Sequence, residues 1–512
     1  MSRLTDRYSA LLMLFAGASA VTAFAPFGWF PVAVLSLALL FNQWLLDTPA
    51  LAFRHGFLFG ASFFGAGISW VFISIKVYGH VAAPVATLIT LGLIAFLSLY
   101  PALLGYFLLR YFRSLTFAPL AIAVPAGWVV SEWLRGWVFS GFPWLSMGTS
   151  QIDGPLGGYA PVLGVFGTGL TVALSAALLV AIARDWYRLR SLALLLLLWG
   201  GGQLLNNVQW TEPRGDALQV ALVQGNISQD DKWAPENLLS TFTRYSELTF
   251  NQPDVDLVVW PETAIPAFYD QVEDNFIAYL ETELGKNSMS LLTGVPVLEK
   301  ENWEYFNAII SLGGEQAFYY KQHLVPYGEY LPLRWLIGNT LDALAVPNAD
   351  FSSGGQSQPL LQAAGYPVSS SICYEVVFGE QIIRDLPEAA MLVNISNDAW
   401  FGDSLAPHQH LEMARLRAKE TGRPMLRATN TGISAVIDHQ GQIIEQSPQF
   451  EIAVIRSAVV PMQGATPYVL LGNTPVVIFT VACLLLSWRG CRRAKGDRGH
   501  GPLLHQEMHP EQ

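Results

Sequence analysis

Two charged side chains stand at the ends of short apolar runs in the middle of the chain. The apolar run DLVVW at 256–260 ends at Trp260, and Pro261 and Glu262 follow it. A buried carboxylate behind a proline is suited to accept and return protons near neutral pH. Lys321 lies near the end of the run at 317–323, and its ammonium group could stabilise a developing oxyanion. Each residue alone also fits an ordinary role, as a helix-starting acid or as a surface lysine.

A thiol ends a third apolar run. Cys373 closes the run at 366–373, and the other two cysteines, Cys483 and Cys491, lie in a late hydrophobic segment and in the basic tail behind it. A thiol at a strand end can serve as a nucleophile, although a free cysteine is more commonly a small buried hydrophobe. Since a base, a cation and a thiol close three strands in turn, we predict covalent acyl transfer.

The histidines of the same segment could suggest a metal site. The pair His408 and His410 has the spacing H-x-H, but no further ligands follow at the spacing of a zinc site. We therefore expect structural or surface roles for both histidines and for His323. No cofactor is expected.

The three strand ends belong to a segment in which strand and helix patterns alternate. Helical patterns are found at 236–250, 271–286 and 408–420. Such alternation favours a layered α/β domain. The stretch 337–365 has little periodicity and is interpreted as a long loop. The predicted strands lie at 218–224, 256–260, 290–297, 307–312, 317–323, 366–373, 390–396, 432–438 and 453–460.

The rest of the chain is strongly apolar. Hydrophobic residues make up 52% of the 512 residues and charged residues only 13%, far below the roughly 25% of a typical soluble domain. A span needs about 20 mostly apolar residues. We predict about eight transmembrane helices, at 8–26, 28–46, 56–75, 83–109, 116–134, 160–183, 191–206 and 467–488.

Charge predicts how these spans are oriented. If the spans alternate, nearly all arginines between them fall on one side, which the positive-inside rule assigns to the cytoplasm. Both termini would then be cytoplasmic. Residues 207–466 would lie outside, and they carry 14 basic and 32 acidic residues. So acidic a block excludes a nucleic-acid-binding surface. The predicted units are therefore 1–206 (membrane domain), 207–466 (external catalytic domain), 467–488 (last span) and 489–512 (basic tail).

Several motifs carry a resemblance to a known family. WPETAIP (260–266), KQHLVPYGEYLP (321–332), CYE (373–375) and SNDAWFG (396–402) resemble the Glu–Lys–Cys motifs of the nitrilase superfamily. Together with the spans, RGWVFSGFPW (135–144) and SQIDGPLGG (150–158) resemble bacterial apolipoprotein N-acyltransferases. The resemblance implies a multi-span α-helical membrane domain plus an extracytoplasmic α-β-β-α sandwich.

The resemblance also implies a reaction. Such enzymes, in the bacterial inner membrane, move a fatty acyl group from a phospholipid to the N-terminal α-amine of a diacylglyceryl-cysteine in an apolipoprotein. Phosphatidylethanolamine is the expected donor. By matching motifs, Glu262 is the proton acceptor, Lys321 the oxyanion stabiliser and Cys373 the nucleophile. The resemblance further implies two supporting acids, Glu329 and Glu375, and four substrate-binding residues, Trp233, Asn307, Tyr374 and Trp400.

Two other functions fit parts of the pattern. A membrane-tethered amidase of the nitrilase type would pass the acyl group to water, but one span would be enough to tether it. A lipid carrier with an inactive enzyme domain would have no use for a base, a cation and a thiol together. The loop residues Arg135, Trp137, Phe142 and Trp144 fit an aromatic membrane anchor and a substrate contact equally well.

Overall fold

Helices form the first part of the chain. The computed structural model describes residues 2–112, 115–326, 328–330 and 350–496. The helices of the first part are α1 (Ser2–Ala20), α2 (Pro31–Trp44), α3 (Pro49–Gly67), α4 (Ala83–Phe112), α5 (Val124–Arg135), α6 (Ala160–Ala183) and α7 (Arg188–Leu205). Each predicted span before residue 207 overlaps one of these helices. The eighth overlaps a C-terminal helix, Thr474–Gly496.

Not every one of these helices is long and apolar enough to cross a membrane. Within the described residues, three pass by length and hydropathy: Ala83–Phe112, Pro155–Ala183 and Thr474–Cys491. A fourth is possible if Pro49–Gly67 and Val71–Tyr78, which meet at a bend of 59°, count as one broken span. The 14 residues of α2 rise only about 21 Å, less than the roughly 30 Å of a hydrocarbon core. The number eight therefore stays a prediction.

Two six-stranded sheets form the centre of the α/β part. The strands are β1 (Leu218–Gln224), β2 (Leu257–Val259), β3 (Ser290–Glu299), β4 (Glu304–Leu312), β5 (Ala317–Tyr320), β6 (Leu361–Ala363), β7 (Tyr366–Ile372), β8 (Met391–Ser396), β9 (Met425–Thr429), β10 (Ala435–Ile437), β11 (Ile443–Gln446) and β12 (Ala453–Val459). The first sheet has the order β12-β1-β2-β3-β4-β5 and the second has the order β11-β10-β9-β8-β7-β6.

The middle strands of each sheet run parallel. β1, β2 and β3 pair in parallel in the first sheet, and β7, β8 and β9 do so in the second. The outer strands are antiparallel. The carboxyl ends of β2, β7 and β8 are followed by Glu262, Cys373 and Asn397, which lie one to three residues beyond each strand.

Side chains of the strands alternate between two cores. Val220 and Leu222 of β1 pack against the other sheet, where they meet residues of β7, β8 and β9. Ala221 and Val223 face the opposite way, against α8 (Leu238–Phe250) and α9 (Ala278–Asn287). This period of two is what a strand buried on both faces requires. The second sheet packs its outer face on α10 (Ala406–Thr421) and on the N-terminal helices. The layers are therefore helix, sheet, sheet, helix, as expected.

Helix α10 lies between the second sheet and the helical part although its sequence, APHQHLEMARLRAKET, is polar. Most of its residues are buried, and polar partners from the helical part satisfy several of them. Gln409 accepts a hydrogen bond from the indole of Trp144 (2.6 Å), and Lys419 donates to the carbonyl of Ile152 (3.0 Å). The two parts of the chain are thus joined by specific polar contacts.

The predicted elements and the observed ones differ in a few places. The strand β9 was not expected, because Arg427 interrupts its apolar run, yet the guanidinium is fully buried and paired inside the domain. The run at 317–323 ends earlier as a strand, at Tyr320, which leaves Lys321 just outside it. Within the predicted loop 337–365, residues 350–365 contain β6, and 337–349 lie outside the described residues.

Candidate active site

Glu262 is held rigidly at the end of β2. Its side chain is 9% exposed, and both carboxylate oxygens accept hydrogen bonds. The Asn307 amide donates to Oε1 (2.7 Å) and the Asn397 backbone N–H donates to Oε2 (2.8 Å). A Cβ on Gly294 of β3 would approach the backbone nitrogen of Thr263 to 2.4 Å, so only glycine allows this close packing. The carboxylate therefore has a defined position before any substrate arrives.

Lys321 is buried between two acids. Its Nζ lies 2.6 Å from Glu329 Oε1 and 3.7 Å from Glu262 Oε1. Burial opposes the charge on the lysine, but Glu329 and Glu262 outweigh burial and raise the pKa of Lys321 above its ordinary value. The side chain is therefore an ammonium at neutral pH. Such a fixed positive charge is what an oxyanion site requires.

Cys373 occupies a strained turn directly after β7. Its φ is +53°, in the left-handed region, which costs a non-glycine residue about 1–3 kcal/mol. Burial and the charge of Glu262 raise the pKa of the Cys373 thiol to about 12, although Lys321 acts in the opposite direction. The resting thiol is protonated at neutral pH, so a nucleophilic attack by Cys373 needs a base to take the proton.

The structure thus brings Glu262, Lys321 and Cys373 together at one edge of the two sheets. The charges of Glu262 and Lys321 both act on the thiol of Cys373. A base, a permanent cation and a protonated thiol in mutual range can perform nucleophilic acyl transfer.

The two acids that were predicted to support the site, Glu329 and Glu375, have different surroundings. Glu329 contacts Lys321 and accepts a second hydrogen bond from the backbone N–H of Val325 (2.8 Å). Glu375 is fully buried and accepts five hydrogen bonds. The donors are Gln322 N (2.7 Å), His323 N (3.0 Å), Ile372 N (2.7 Å), Tyr319 OH (3.0 Å) and Gln381 Nε2 (2.7 Å). Glu375 therefore joins the segment around Lys321 to the turn that carries Cys373.

The four predicted substrate-binding residues fall into two groups. Trp233 and Trp400 are 50% and 38% exposed, and the ring of Trp400 packs edge-on against Tyr78, with 5.8 Å between the centroids. Asn307 uses its amide on Glu262. Tyr374 is buried, and its hydroxyl donates to the carbonyl of Gly141 (3.1 Å). Substrate binding by these four residues stays a prediction, and the last two also have internal partners.

The loop after α5 forms a wall beside the candidate site. Arg135 is buried and donates hydrogen bonds to the carbonyls of Phe142 and Trp144. Trp144 is 1% exposed and packs against Tyr374, whereas Trp137 is 54% exposed. Arg135 and Trp144 therefore hold the loop in shape. These internal contacts are neither those of an aromatic membrane anchor nor those of a substrate contact, the two roles considered for them.

Sequence reasoning did not single out Lys232, which lies at the same edge. Its ammonium is buried and donates to the backbone carbonyl of Glu262 (3.1 Å). Burial lowers the pKa of Lys232 to about 8, although the charge of Glu262 acts in the opposite direction. No local pattern distinguishes Lys232 from a surface lysine, because only the fold turns this loop toward β2.

The three histidines His323, His408 and His410 have different surroundings. His323 stacks on Phe378, with ring centroids 3.7 Å apart, and lies 3.3 Å from the hydroxyl of Ser140. His408 is half-buried beside Gln449, and His410 is fully buried. Across the described ranges, no three His, Cys, Asp or Glu side chains are grouped as a metal site would require.

Comparison with known proteins agrees with this architecture. Residues 16–178 match the family model of the apolipoprotein N-acyltransferase N-terminal domain, and residues 219–467 match that of carbon-nitrogen hydrolases. The fold and the site thus define a carbon-nitrogen hydrolase domain joined to a helical region. The crystal structure of Saccharomyces cerevisiae Nit3, a member of branch 10 of the nitrilase superfamily, aligns at 19% identity. That match covers 58% of this chain and 98% of that chain, with a TM-score of 0.38.

Two relatives match almost the whole chain. The apolipoprotein N-acyltransferase of Methylococcus capsulatus is 48% identical, over 91% of this chain and 93% of the relative. The apolipoprotein N-acyltransferase of Nitrosomonas europaea is 43% identical, over 94% of this chain and 96% of the relative. The chain belongs to the apolipoprotein N-acyltransferase family.

Proposed function

We propose that the chain transfers a fatty acyl group from a membrane phospholipid to the N-terminal α-amine of a diacylglyceryl-cysteine in apolipoproteins. The observation that carries this proposal is the group of Glu262, Lys321 and Cys373 at one edge of the sheets, with the thiol protonated at rest. Membership of the family supports the lipoprotein acceptor. The apolar helices support a membrane lipid as donor, and phosphatidylethanolamine is the donor we propose.

In the first half of the reaction, the carboxylate of Glu262 takes the proton from the thiol of Cys373. The sulfur attacks the ester carbonyl of the phospholipid, and the ammonium of Lys321 stabilises the oxyanion that forms. The carbon–oxygen bond then breaks. Glu262 returns the proton to the leaving alkoxide, so that a lysophospholipid departs and a thioester remains on Cys373.

In the second half, the α-amine of the acceptor attacks the thioester. Glu262 takes a proton from the amine, and Lys321 again stabilises the oxyanion. The carbon–sulfur bond breaks, an amide forms, and the proton passes from Glu262 to the departing thiolate of Cys373. Two substrates thus react in turn through one covalent intermediate, as in a ping-pong mechanism.

The arrangement of the chain in the membrane belongs to the same proposal. Residues 1–206 would form the membrane domain with seven spans, 207–466 the catalytic domain in the periplasm, 467–488 the last span and 489–512 a cytoplasmic tail. The arginine-rich loops support this orientation in the bacterial inner membrane.

The covalent intermediate gives the direct test. The purified protein in mild detergent is incubated with phosphatidylethanolamine alone, and intact mass and peptide mapping locate any adduct. We expect one acyl mass on Cys373, its loss upon addition of a diacylated lipopeptide, and an acylated peptide in return. Cys373→Ser keeps the size of the side chain but should form no thioester. An adduct that survives Cys373→Ala, which has no nucleophile at this position, or transfer of the acyl group to water alone, would contradict the proposal.

A further inference from the structure

The H-x-H motif of α10 places one histidine directly behind the candidate nucleophile. His410 is fully buried, and its Nε2 lies 3.1 Å from the backbone carbonyl oxygen of Cys373. Its Nδ1 lies 2.9 Å from Nη2 of Arg427 and 3.2 Å from Oδ1 of Asp398. His408, two residues earlier on the helix, has its ring nitrogen beside Gln449 instead.

The partners of His410 determine where its proton lies. Burial and the charge of Arg427 lower the pKa of His410, so the imidazole is neutral. The carbonyl of Cys373 can only accept, so Nε2 carries the proton of the neutral ring. Nδ1 then accepts from the guanidinium of Arg427 and makes no hydrogen bond to the carboxylate of Asp398. Nε2 therefore donates to the carbonyl of Cys373.

Arg427 is itself held in place. It forms a buried ion pair with Asp398 (2.9 Å), which also accepts a hydrogen bond from the hydroxyl of Ser396 (2.7 Å). Arg427 also donates to the side-chain oxygen of Asn394. The amide of Asn394 in turn donates to the Cys373 carbonyl at 3.4 Å, a longer contact than that of His410. The carbonyl is therefore held by two donors, both bound to the same buried arginine.

The Cys373 carbonyl is where the backbone leaves the path of β7. An L-residue at φ +53° would relax toward an extended conformation unless neighbouring groups prevent it. A directed hydrogen bond to the carbonyl opposes this relaxation, because relaxation would rotate the carbonyl away from the helix. The rings of Trp144 and Phe401 pack on the imidazole, at 5.6 and 5.8 Å between centroids, and restrict its rotation.

We propose that His410 is a positioning residue for the reaction. Its Nε2–H holds the strained turn of Cys373, and thereby keeps the sulfur beside Lys321 and Glu262. His410 does not touch the substrate and takes no proton. The effect on acyl transfer rests on the proposed function, whereas the effect on the position of the thiol does not.

Three variants distinguish a role of His410 in positioning Cys373 from a general role in the stability of the fold. His410→Gln keeps an N–H donor at nearly the same reach, while His410→Asn is polar but too short to reach the carbonyl. His408→Asn is the matched control, with the same substitution on the neighbouring histidine of the same helix. Thermal unfolding of the full-length protein in detergent shows whether each variant is folded.

The first readout is the initial rate of acyl-enzyme formation from phosphatidylethanolamine. We expect His410→Asn to be about 10- to 100-fold slower, as for the loss of a buried hydrogen bond, with the KM for the phospholipid within about twofold. His410→Gln should recover most of the rate, and His408→Asn should resemble the wild type. A wild-type rate in folded His410→Asn would overturn the proposal. If His410→Asn does not fold, a folded His410→Gln as slow as Cys373→Ser would overturn it.

The second readout needs no acyl substrate. Iodoacetamide alkylation of Cys373, followed by peptide mapping, reports whether the thiol keeps its buried position beside Glu262 and Lys321. We expect faster alkylation in His410→Asn, because a sulfur that leaves this position is less buried and farther from Glu262, and burial and Glu262 raise the pKa of the thiol more than Lys321 lowers it. An alkylation rate equal to or below the wild-type rate would contradict positioning. If the wild type forms no acyl-enzyme, the proposed function fails, and alkylation still decides the role of His410.

Discussion

The negative charge of Glu262 disfavours ionisation of the Cys373 thiol before the substrate binds. Burial and the negative charge of Glu262 both raise the pKa of Cys373, to about 12. A raised thiol pKa hinders a nucleophile only when the thiolate must exist before the substrate binds. With a base in range, the proton can leave during the attack, and the resting thiol is protected from oxidants because the thiolate is the reactive form.

The effect of Glu262 on the thiol predicts opposite changes in two rates of the variant Glu262→Gln, the alkylation rate and the acylation rate of Cys373. Glu262→Gln removes the negative charge, lowers the pKa of Cys373 and should speed its alkylation by iodoacetamide. The same change removes the base, so acyl-enzyme formation should fall by about 10²–10⁴. Alkylation rates against pH and mass-resolved acylation rates give the two values. Normal acylation in Glu262→Gln would show that Glu262 is not the base of the first step.

Lys321 should behave differently from Glu262 in both measurements. Lys321→Met removes the charge that lowers the pKa of Cys373, so alkylation should become slower. Acyl transfer should fall by about 10²–10³, as for the loss of one oxyanion donor. Lys321→Arg should not restore it, because a planar guanidinium does not fit between Glu329 and Glu262 as an ammonium does. Normal turnover in Lys321→Met would mean that another group supplies the charge.

At the scale of elements, the site depends on how separate segments are joined. The segment after β5 carries Lys321, the turn after β7 carries Cys373, and Glu375 accepts hydrogen bonds from both. Behind the turn, α10 supplies His410, and the loop after α5 supplies the carbonyl that binds Tyr374. Each segment is short, so its position is determined by these contacts more than by its own backbone preferences.

Glu375 offers a test of this joining role. Glu375→Gln keeps the shape but turns an N–H₂ group toward donors, so at least one buried hydrogen bond is lost. We expect the free energy of unfolding to fall by about 1–3 kcal/mol and acyl-enzyme formation to fall with it. Glu329→Gln is the control, since Glu329 has fewer internal donors and should affect activity more than stability. A fully stable, fully active Glu375→Gln would exclude the joining role.

At the scale of the molecule, the carbon-nitrogen hydrolase domain is joined to the helical part by specific packing. The polar helix α10 is buried between the second sheet and the helical part, with partners such as Trp144 and Asp153 on the helical side. A domain cut off after residue 206 would expose these groups and lose the loop beside Tyr374. The helical part therefore contributes to the shape of the candidate site.

The orientation of the whole chain can be tested with reporter fusions. An enzyme reporter that is active only outside the cytoplasm should be active when fused after residue 215 or 465. It should be inactive after 115, 187 or 495, because the arginines near these positions favour the cytoplasmic side. A second reporter, active only inside, serves as the control for expression. Outside activity at 495 would show that the predicted number of spans is wrong by one.

Local pattern was sufficient for the features that depend on near neighbours. The apolar run at 218–224 predicted a strand, and the structure has one there, with Val220 and Leu222 in one core and Ala221 and Val223 in the other. The apolar segments before residue 207 all overlap helices. The ends of three runs pointed to Glu262, Lys321 and Cys373, because a strand end is a local signal and each residue type has its own chemistry.

Only the tertiary structure determined which polar side chains are buried and which groups they bind. A strand through Arg427, a neutral His410 behind Cys373, a buried Lys232 at Glu262 and the five donors of Glu375 carry no local signal. A polar group can be buried only when a distant segment supplies its hydrogen-bonding partner. Periodicity within one element does not contain that information. The sequence by itself therefore indicated which side chains could react, and the packing of distant segments determined how they are held.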